Sequence, residues 1–147
     1  MPGLTYKPRD NQYIATAEFY VRYAETDAQG IVHHSSYILW IEEARINFAR
    51  SVGIQYAETE REGRFMSIIE IQTYYHAPMR FGDIARASCW LESFKSRTMS
   101  FAYHIRRAGD ESVCMSGISR HVCLNREGNI ASWPESWRSR LTRTALS

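Results

Sequence analysis

Long apolar segments are missing from this sequence. Its longest uninterrupted apolar run is the five residues 37–41, whereas a membrane-spanning helix needs roughly 20 apolar residues. Residues 1–12 carry charges and two prolines with no apolar stretch behind them, so a signal peptide is not expected. We therefore predict a cytoplasmic protein without a membrane span.

Cysteine and lysine are also scarce. Three cysteines, none in a Cys-x-x-Cys spacing, favour neither a zinc site nor a disulfide framework, and we expect buried free thiols. Arginine supplies 16 of the 18 basic residues, and its planar guanidinium suits phosphates. The arginines are scattered, and no nucleic-acid-binding module is recognisable. This pattern fits a small phosphorylated ligand better than a nucleic acid.

Nothing in the sequence divides the chain into several domains. Its 147 residues fit one domain, and no repeat, low-complexity tract or Pro/Gly linker interrupts them. We predict a flexible lead-in over residues 1–12, a single domain over residues 13–142 and a tail over residues 143–147.

Hydrophobic periodicity predicts one strand, one long helix and then a run of strands. Apolar residues alternate over residues 13–23, as in a strand. Over residues 37–52 they recur at helical spacing nearly all round, which is typical of a buried helix, and Gly53 offers a C-terminal cap. A shorter helix is predicted at residues 56–62. Four strands and a short final helix are predicted at 66–77, 84–94, 98–107, 113–124 and from Pro134 onward.

This order of elements predicts an α+β fold. One helix cannot cover both faces of a five-stranded sheet, so the economical packing wraps an antiparallel sheet around the long central helix. We expect the last four strands to pair as a meander. The remaining strand edges and outer face are expected to meet another copy of the chain, in a homodimer or homotetramer.

The stretch RYAETDAQGIVHHSSY, residues 22–37, joins the first strand to the long helix. It concentrates carboxylates, a glycine and two histidines at a helix N-terminus, where free backbone N–H groups and the macrodipole favour a developing oxyanion. Ser35 or Ser36 is expected to cap the helix. This stretch is the candidate reaction centre.

The same stretch resembles the loop of a known family. Hotdog-fold acyl-CoA thioesterases of the 4-hydroxybenzoyl-CoA thioesterase type carry a similar D-x-x-G-x-V-x-H-x-x-Y pattern, which the Tol–Pal-associated thioesterases share. The matching residues are Asp27, Gly30, Val32, His34 and Tyr37. The resemblance also takes in E-x-A-R at 42–45 and HAP at 76–78, and it covers residues 19–141. It implies the hotdog fold.

The resemblance implies two catalytic positions. Asp27 stands where these enzymes carry the catalytic carboxylate, and the backbone N–H of His34 where the thioester carbonyl is polarised. In the Tol–Pal-associated group a histidine at this position and a tyrosine corresponding to Tyr23 are also implicated. Ser36 departs from the pattern, since many relatives have Asn there.

The resemblance also implies where substrate binds. Gly30, Val32 and Tyr37 are expected to shape the acyl-CoA site, with Tyr23 beside them. Tyr37, like Trp40, is expected to be a core residue first and a substrate contact second. The CoA phosphates are expected at the pocket mouth, where Arg97 or the Arg106–Arg107 pair could meet them. No metal and no cofactor is expected, because CoA is part of the substrate.

Thioester hydrolysis needs few groups. A thioester carbonyl has weak resonance stabilisation, so one carboxylate and one oxyanion donor can suffice, and the sequence has no G-x-S-x-G nucleophile elbow. Asp27 can either attack the carbonyl or activate a water molecule, and the sequence leaves both roles open.

The same residues also allow plainer interpretations. Asp27 in TDAQG is typical of an Asx turn, and Glu25 of a solvated or structural carboxylate. His33 fits a pocket wall or a surface position, and adjacent histidines diverge too much to favour a metal site. Glu42 and Arg45, three residues apart on the helix, are expected to form a local ion pair.

Other functions remain as alternatives to an acyl-CoA thioesterase. They are a hotdog hydratase or dehydratase, a thioesterase that acts on acyl carrier protein, and a non-catalytic acyl-CoA-binding protein. The acyl group, short-chain or aromatic, is not determined by the sequence.

Overall fold

The computed structural model describes residues 4–145, which form five strands and three α-helices. A single 3-10 turn, Tyr23–Glu25, separates the first strand from the first helix. In chain order the elements are β1 (Ala15–Tyr20), α1 (His34–Ser51), α2 (Tyr56–Arg61), β2 (Phe65–Tyr75), β3 (Ile84–Phe94), β4 (Thr98–Arg107), β5 (Val113–Leu124) and α3 (Glu135–Ala145). The predicted order of strands and helices along the chain is therefore observed.

The five strands make one antiparallel sheet in the order β1-β3-β4-β5-β2. The predicted meander of the last four strands is wrong at its first step, because β2 pairs with β5 and not with β3. The connection over residues 76–83 is too long for a tight hairpin, and it crosses to the opposite side of the sheet. This crossover leaves β2 at one edge and β1 at the other.

The first strand is shorter than its sequence pattern. Apolar alternation runs to Tyr23, but β1 ends at Tyr20. Val21 still donates a backbone hydrogen bond to Asp83 (2.9 Å), and the chain then turns out of the sheet. Tyr23 is 76% exposed and packs its ring against Phe81, so its place in the alternation does not reflect burial in the core.

The long helix begins earlier than predicted and has a different cap. It starts at His34, and the ring Nδ1 of His33 accepts a hydrogen bond from the backbone N–H of Ser35 (3.1 Å). Ser36 is buried and donates its hydroxyl to the backbone oxygen of Glu25 (3.0 Å). The predicted serine cap is therefore wrong. Ser35 donates its backbone N–H to the His33 cap, and Ser36 ties the helix to the preceding turn.

The buried face of α1 contacts strands across the whole sheet. Trp40 stacks on Phe19 of β1 (6.3 Å between ring centroids), and Phe48 meets Phe101 of β4 edge-on (5.4 Å). Near the start of the helix, Tyr37 contacts Tyr75 of β2. A single helix that reaches both edge strands and the centre requires a sheet curved around it, as predicted. Buried aromatic side chains of this kind each contribute about 2 kcal/mol or more.

The predicted ion pair between Glu42 and Arg45 is wrong. Arg45 lies on the sheet-facing stripe of α1 with 5% of its surface exposed, and its Nη1 donates to the hydroxyl of Tyr103 (3.1 Å). Glu42 lies on the exposed face of the same helix. Three-residue spacing permits a pair, but here the Arg45 guanidinium turns inward to Tyr103, while Glu42 stays at the exposed side of the helix.

The segments outside the sheet and helices are also partly anchored. Residues 4–12 form no helix or strand, yet the ring Nε2 of His104 lies 2.9 Å from the backbone oxygen of Tyr6. Gln12 donates its side-chain amide to the backbone of Leu91 (2.6 Å). Of the predicted tail, residues 143–145 belong to α3 and the last two lie outside the described residues. No helix within residues 4–145 combines the length and apolar character that a membrane crossing requires.

Candidate active site

The loop before α1 is folded around Asp27. One carboxylate oxygen, Oδ1, accepts hydrogen bonds from the backbone N–H groups of Gln29 (2.8 Å) and Ile31 (3.4 Å). The Gly30 N–H donates to the Asp27 backbone oxygen (3.0 Å), and Gly30 has a φ of 79°, which favours glycine. The Asx-turn interpretation is therefore correct for Oδ1. The other oxygen, Oδ2, accepts no hydrogen bond from any described residue and stays available for chemistry.

The end of this loop is held by two backbone hydrogen bonds. Val32, 5% exposed, donates its N–H to Met79 (2.8 Å), and His33 donates its N–H to Glu25 (2.8 Å). The first bond ties the loop to the β2–β3 connection and the second ties it to the 3-10 turn. Asp27 is thereby held beside the first turn of α1.

The first residue of α1 offers a free donor. The backbone N–H of His34 donates to no described residue, as expected for a helix N-terminus. Its backbone oxygen accepts from the hydroxyl of Tyr75 (3.1 Å). The His34 ring is exposed and lies over the ring of His33, with 4.1 Å between centroids. The backbone, rather than the imidazole, is the fixed polar group here.

A cavity of about 470 Å³ opens beside these groups. Its lining joins the loop, the start of α1, the end of β2 and the crossover. The lining residues are Asp27, Ile31, Val32, His34, Tyr37, Tyr75, His76, Ala77 and Pro78. Most of these side chains are apolar or aromatic, so the cavity suits an acyl group with one carboxylate at its wall.

Sequence reasoning did not assign five members of this lining to the site, and two of them, Tyr75 and His76, carry polar groups. Tyr75 contacts Tyr37 at 5.3 Å between ring centroids, and His76 places its Nε2 2.8 Å from the hydroxyl of Ser116. They reach the site only because β2 lies at the sheet edge beside the start of α1. The HAP resemblance at 76–78 was the one available signal, and it pointed to a turn rather than to a cavity wall.

Three predicted site residues are not in the lining of this cavity within one protomer. Gly30 shapes the Asp27 loop but does not line the cavity. Tyr23 lies outside the lining, on Phe81. Arg97 lies in the β3–β4 turn, at the opposite end of a strand of 11 residues that spans roughly 35 Å. The structure therefore groups Asp27 with Val32, His34 and Tyr37, and the predicted roles of Tyr23 and Arg97 stay predictions.

Two other arginines lie close to the cavity, although neither is part of its lining. Arg107 donates Nη1 to the backbone oxygen of Pro78 in the lining (2.7 Å). The exposed Arg80 lies close to Gly30. Its Nη1 is 3.9 Å from the position that a Cβ atom would take on that glycine. Both cations stand at the end of the sheet where the loop is.

Glu25 has a structural role under the loop. Burial alone would raise the pKa of this carboxyl, but hydrogen bonds from the backbone and side chain of Arg22 and from the indole of Trp40 hold the pKa below its usual value. The Trp40 Nε1 donates at 2.8 Å. Glu25 is 7% exposed, so of its two predicted alternatives the structural one is confirmed.

The chemistry available at this site is that of a carboxylate and a backbone donor. Tyr37 stays neutral, since burial raises the pKa of its hydroxyl. Within residues 4–145, no group of three His, Cys, Asp or Glu side chains converges as metal ligands would. The three cysteines are buried and unpaired. Asp27 and His34 both line this cavity, and one carboxylate oxygen together with one helix N–H can activate a nucleophile and stabilise an oxyanion.

Known proteins share this architecture. A protein of Bacillus subtilis (strain 168) named "Putative acyl-CoA thioesterase YneP" is 30% identical over 115 residues, which are 78% of this chain and 83% of that protein. The crystal structure of a hypothetical protein, TT1821, from Thermus thermophilus is 33% identical with a TM-score of 0.83, covering 88% of this chain and 98% of the other. The structure of BH1999 gentisyl-coenzyme A thioesterase is 25% identical with a TM-score of 0.76, covering 84% and 98%.

The sequence profile of the Thioesterase-like superfamily matches residues 21–141. This range includes the Asp27 loop, all of α1 and the sheet from β2 to β5. The predicted hotdog fold and the predicted class of enzyme, a thioesterase, are both confirmed by these similarities. The chain belongs to the Thioesterase-like superfamily.

Proposed function

We propose that this protein hydrolyses the thioester bond of an acyl-CoA, with Asp27 and the His34 backbone N–H as its working groups. The observation that carries the proposal is the pair of unsatisfied polar atoms, Asp27 Oδ2 and His34 N–H, beside one aromatic-lined cavity. The name of the Bacillus subtilis relative supports acyl-CoA as the substrate class.

In this mechanism the thioester carbonyl oxygen accepts a hydrogen bond from the His34 N–H. The positive end of the α1 dipole stabilises the negative charge that grows on this oxygen in the transition state. Asp27 Oδ2 then either attacks the carbonyl carbon, which gives an acyl anhydride that water hydrolyses, or removes a proton from a water molecule that attacks the carbonyl carbon. In both routes the C–S bond breaks and CoA leaves as its thiol. In both routes Oδ1 stays bonded to the loop, so the carboxylate does not have to be ordered during reaction.

We propose an aromatic acyl group. Tyr37 and Tyr75 form an aromatic wall whose hydroxyl and ring edges can meet a planar ring. A volume of about 470 Å³ leaves room for an aryl group together with the thioester end of the pantetheine arm. The similarity to a gentisyl-coenzyme A thioesterase supports this choice. Placement in the 4-hydroxybenzoyl-CoA type of the superfamily is part of the same proposal.

The CoA phosphates are proposed to lie over Arg80 and Arg107. Both guanidinium groups stand near the cavity, and phosphate oxygens are favourable partners for such forks. Arg97 is proposed to contribute only in an assembly, where a partner subunit brings its β3–β4 turn to the cavity.

We propose that the enzyme is a homodimer or a homotetramer. The edge strand β2 carries apolar side chains that stay exposed in one protomer, Ile68 at 45% and Ile69 at 60%. A long, unpaired and apolar edge of this kind favours pairing with a second copy. Light scattering should give at least a dimer, and a fully active monomer would contradict this part of the proposal.

The experiment for the function is a hydrolysis screen with purified protein. Benzoyl-CoA, 4-hydroxybenzoyl-CoA, butyryl-CoA and palmitoyl-CoA are compared by release of free thiol. We expect all four CoA esters to be hydrolysed, with the highest kcat/KM for the two aromatic esters. If the protein binds these CoA esters but releases thiol from none of them, the non-catalytic alternative is favoured. Loss of enoyl absorbance without thiol would favour a hydratase, and activity only on acyl carrier protein would replace CoA as the substrate.

A further inference from the structure

A second, smaller cavity lies at the other half of α1. It has a volume of about 220 Å³ and is bounded by α1, α2, β2 and α3. Its walls include Arg45, Ile46, Tyr56, Thr59, Met66 and Trp137, and Ile68 of the proposed subunit edge also lines it. Arg45 is eleven residues beyond His34, so roughly 16 Å of helix separates this cavity from the Asp27 site. The proposed thioesterase mechanism does not use it.

Arg45 brings an unusual charge to this cavity. Its side chain is 95% buried, and none of the ion pairs among residues 4–145 includes it. Nη1 donates to Tyr103, while Nε is buried with no hydrogen-bond partner among the described residues. A buried cation with neither a counter-ion nor a full set of acceptors is costly to maintain.

The groups behind Arg45 do not supply a counter-charge. The Tyr103 hydroxyl lies 2.5 Å from the hydroxyl of Ser119, which lies 2.7 Å from the Nε2 of His121. Burial raises the pKa of Tyr103, and burial together with the Arg45 charge lowers the pKa of His121 to about 3. This chain is therefore neutral, and the positive charge of Arg45 remains uncompensated on that side.

A second unsatisfied group lies on the cavity wall. The Tyr56 hydroxyl is buried without a hydrogen-bond partner among the described residues, and burial raises its pKa so that it keeps its proton. Beside it, the indole Nε1 of Trp137 donates to the Thr59 hydroxyl (2.9 Å). Arg45 Nε and Tyr56 O–H thus lack acceptors in one cavity, although Arg45 lies close enough to the Tyr56 oxygen to oppose the rise of the Tyr56 pKa. An anion with oxygen acceptors would satisfy both.

We propose that this cavity binds a small monocarboxylate with a short apolar tail. The carboxylate lies against the guanidinium of Arg45 and the hydroxyl of Tyr56, and the tail lies against Ile46, Met66 and Trp137. At roughly 30 Å³ per water-sized group the cavity holds about seven such groups. Bonded heavy atoms take up less space than separate waters, so a ligand as large as benzoate fits. Glu42 and Glu60 at the exposed side of the lining disfavour phosphates and other multiply charged anions.

Tryptophan indole signals can report this site separately from the Asp27 site. In proton–nitrogen correlation NMR, the Trp137 indole reports the second cavity, and the Trp40 indole, next to Tyr37, reports the first. The native protein is titrated with sodium benzoate, and with the neutral isostere benzamide as the control. We expect a saturable shift of the Trp137 signal with millimolar benzoate and none with benzamide. No saturable Trp137 shift, or an equal shift with benzamide, would overturn the proposal.

Single substitutions test whether benzoate binds in this second cavity. Ile46→Phe narrows the cavity without changing Arg45, and it should weaken benzoate binding at the Trp137 signal by at least about tenfold. Leu39→Phe is the matched control, because Leu39 is on the same helix and 56% exposed, and it should bind as the native protein does. Arg45→Met should abolish the shift in a folded protein. Unchanged affinity in Ile46→Phe would contradict the site even if Arg45→Met does not fold.

Discussion

Glu25 and Asp27 stand two residues apart and occupy opposite surroundings. Glu25 is buried in the 3-10 turn, where hydrogen bonds from Arg22 and Trp40 occupy its oxygens and hold down its pKa. Asp27 is half-buried in the next turn and has only Oδ1 engaged. A carboxylate whose oxygens are all satisfied stabilises a loop, whereas one with a free oxygen at a cavity can react. Hydrogen-bond satisfaction, rather than residue type, separates the two roles.

The largest expected effect is on catalysis at Asp27. Asp27→Asn keeps the Oδ1 acceptor that closes the turn but removes the charge and basicity of the free oxygen. We expect kcat to fall by at least ~10³, about 4 kcal/mol of barrier, with KM changed only a few-fold. Steady-state thiol release measures this, with circular dichroism and light scattering as controls. A folded variant that keeps more than about a tenth of the activity would contradict the mechanism.

Removing the Glu25 carboxylate should lower the stability of the protein before it affects catalysis. Glu25→Ala leaves the buried Trp40 indole N–H without an acceptor and frees the Arg22 backbone, so the free energy of unfolding should fall by about 3 kcal/mol. Glu25→Gln keeps an acceptor and should lose less. Urea unfolding gives both values. Native stability in Glu25→Ala would show that this carboxylate does not hold the turn.

Acid should destabilise the protein through its buried histidine. His121 has a pKa of about 3 in the folded state and an ordinary value near 6.5 when unfolded. Between these values the unfolded chain binds a proton that the folded protein does not, so stability is full above pH 6.5 and falls as pH decreases. From pH 6.5 to 4.5 the loss should be about 2 kcal/mol. Urea unfolding across this pH range should show that the free energy of unfolding falls less steeply with decreasing pH in His121→Gln than in the native protein. An identical pH dependence in the two proteins would contradict the assignment.

A smaller effect is expected at the aromatic wall. Tyr75→Phe removes the hydroxyl that donates to the His34 backbone oxygen and keeps the ring against Tyr37. We expect a loss of about 1 kcal/mol in stability and a modest fall in kcat, because the first turn of α1 is less firmly held. Tyr74→Phe, on the neighbouring exposed residue of β2, is the matched control. Equal effects of the two changes would remove Tyr75 from the site.

The smallest expected effect concerns the CoA phosphates. Arg80→Ala should raise KM for CoA esters about threefold at low salt with kcat nearly unchanged, and the difference should shrink as salt screens the charge. Arg97→Ala is the companion variant, since it tests whether the far turn acts across a subunit interface. A KM increase in Arg97→Ala and none in Arg80→Ala would move the phosphate site to that interface.

Local patterns predicted much of this fold but not its strand order. Periods of two and of 3.6 residues identify all five strands and α1, because each depends on which face of an element is buried. The pairing of β2 with β5 depends on partners roughly forty to sixty residues apart, such as Thr73 and Gly117, and no local signal encodes it. The His33 cap was missed for another reason, since histidine is an uncommon cap and two serines follow it.

The site could be predicted only where its residues are close in sequence. Asp27, His34 and Tyr37 fall in one motif, and the structure brings them together in one cavity. Tyr75 and His76 come from the crossover strand, so their presence depends on the strand order that the sequence did not reveal. The direction of Arg45 likewise depends on the rotation of α1 against the sheet, which residue spacing alone does not specify.

The most direct test of the central claim restores a carboxylate to the Asp27 position. Asp27→Ala opens space beside the cavity, and added formate can occupy it. We predict that millimolar formate raises the rate of thiol release by Asp27→Ala at least about tenfold and in a saturable way, with sodium chloride as the ionic-strength control. Glu25→Ala under the same conditions should gain nothing. Rescue of Glu25→Ala, or no difference between formate and chloride in a folded Asp27→Ala, would contradict the assignment of the reacting carboxylate to Asp27.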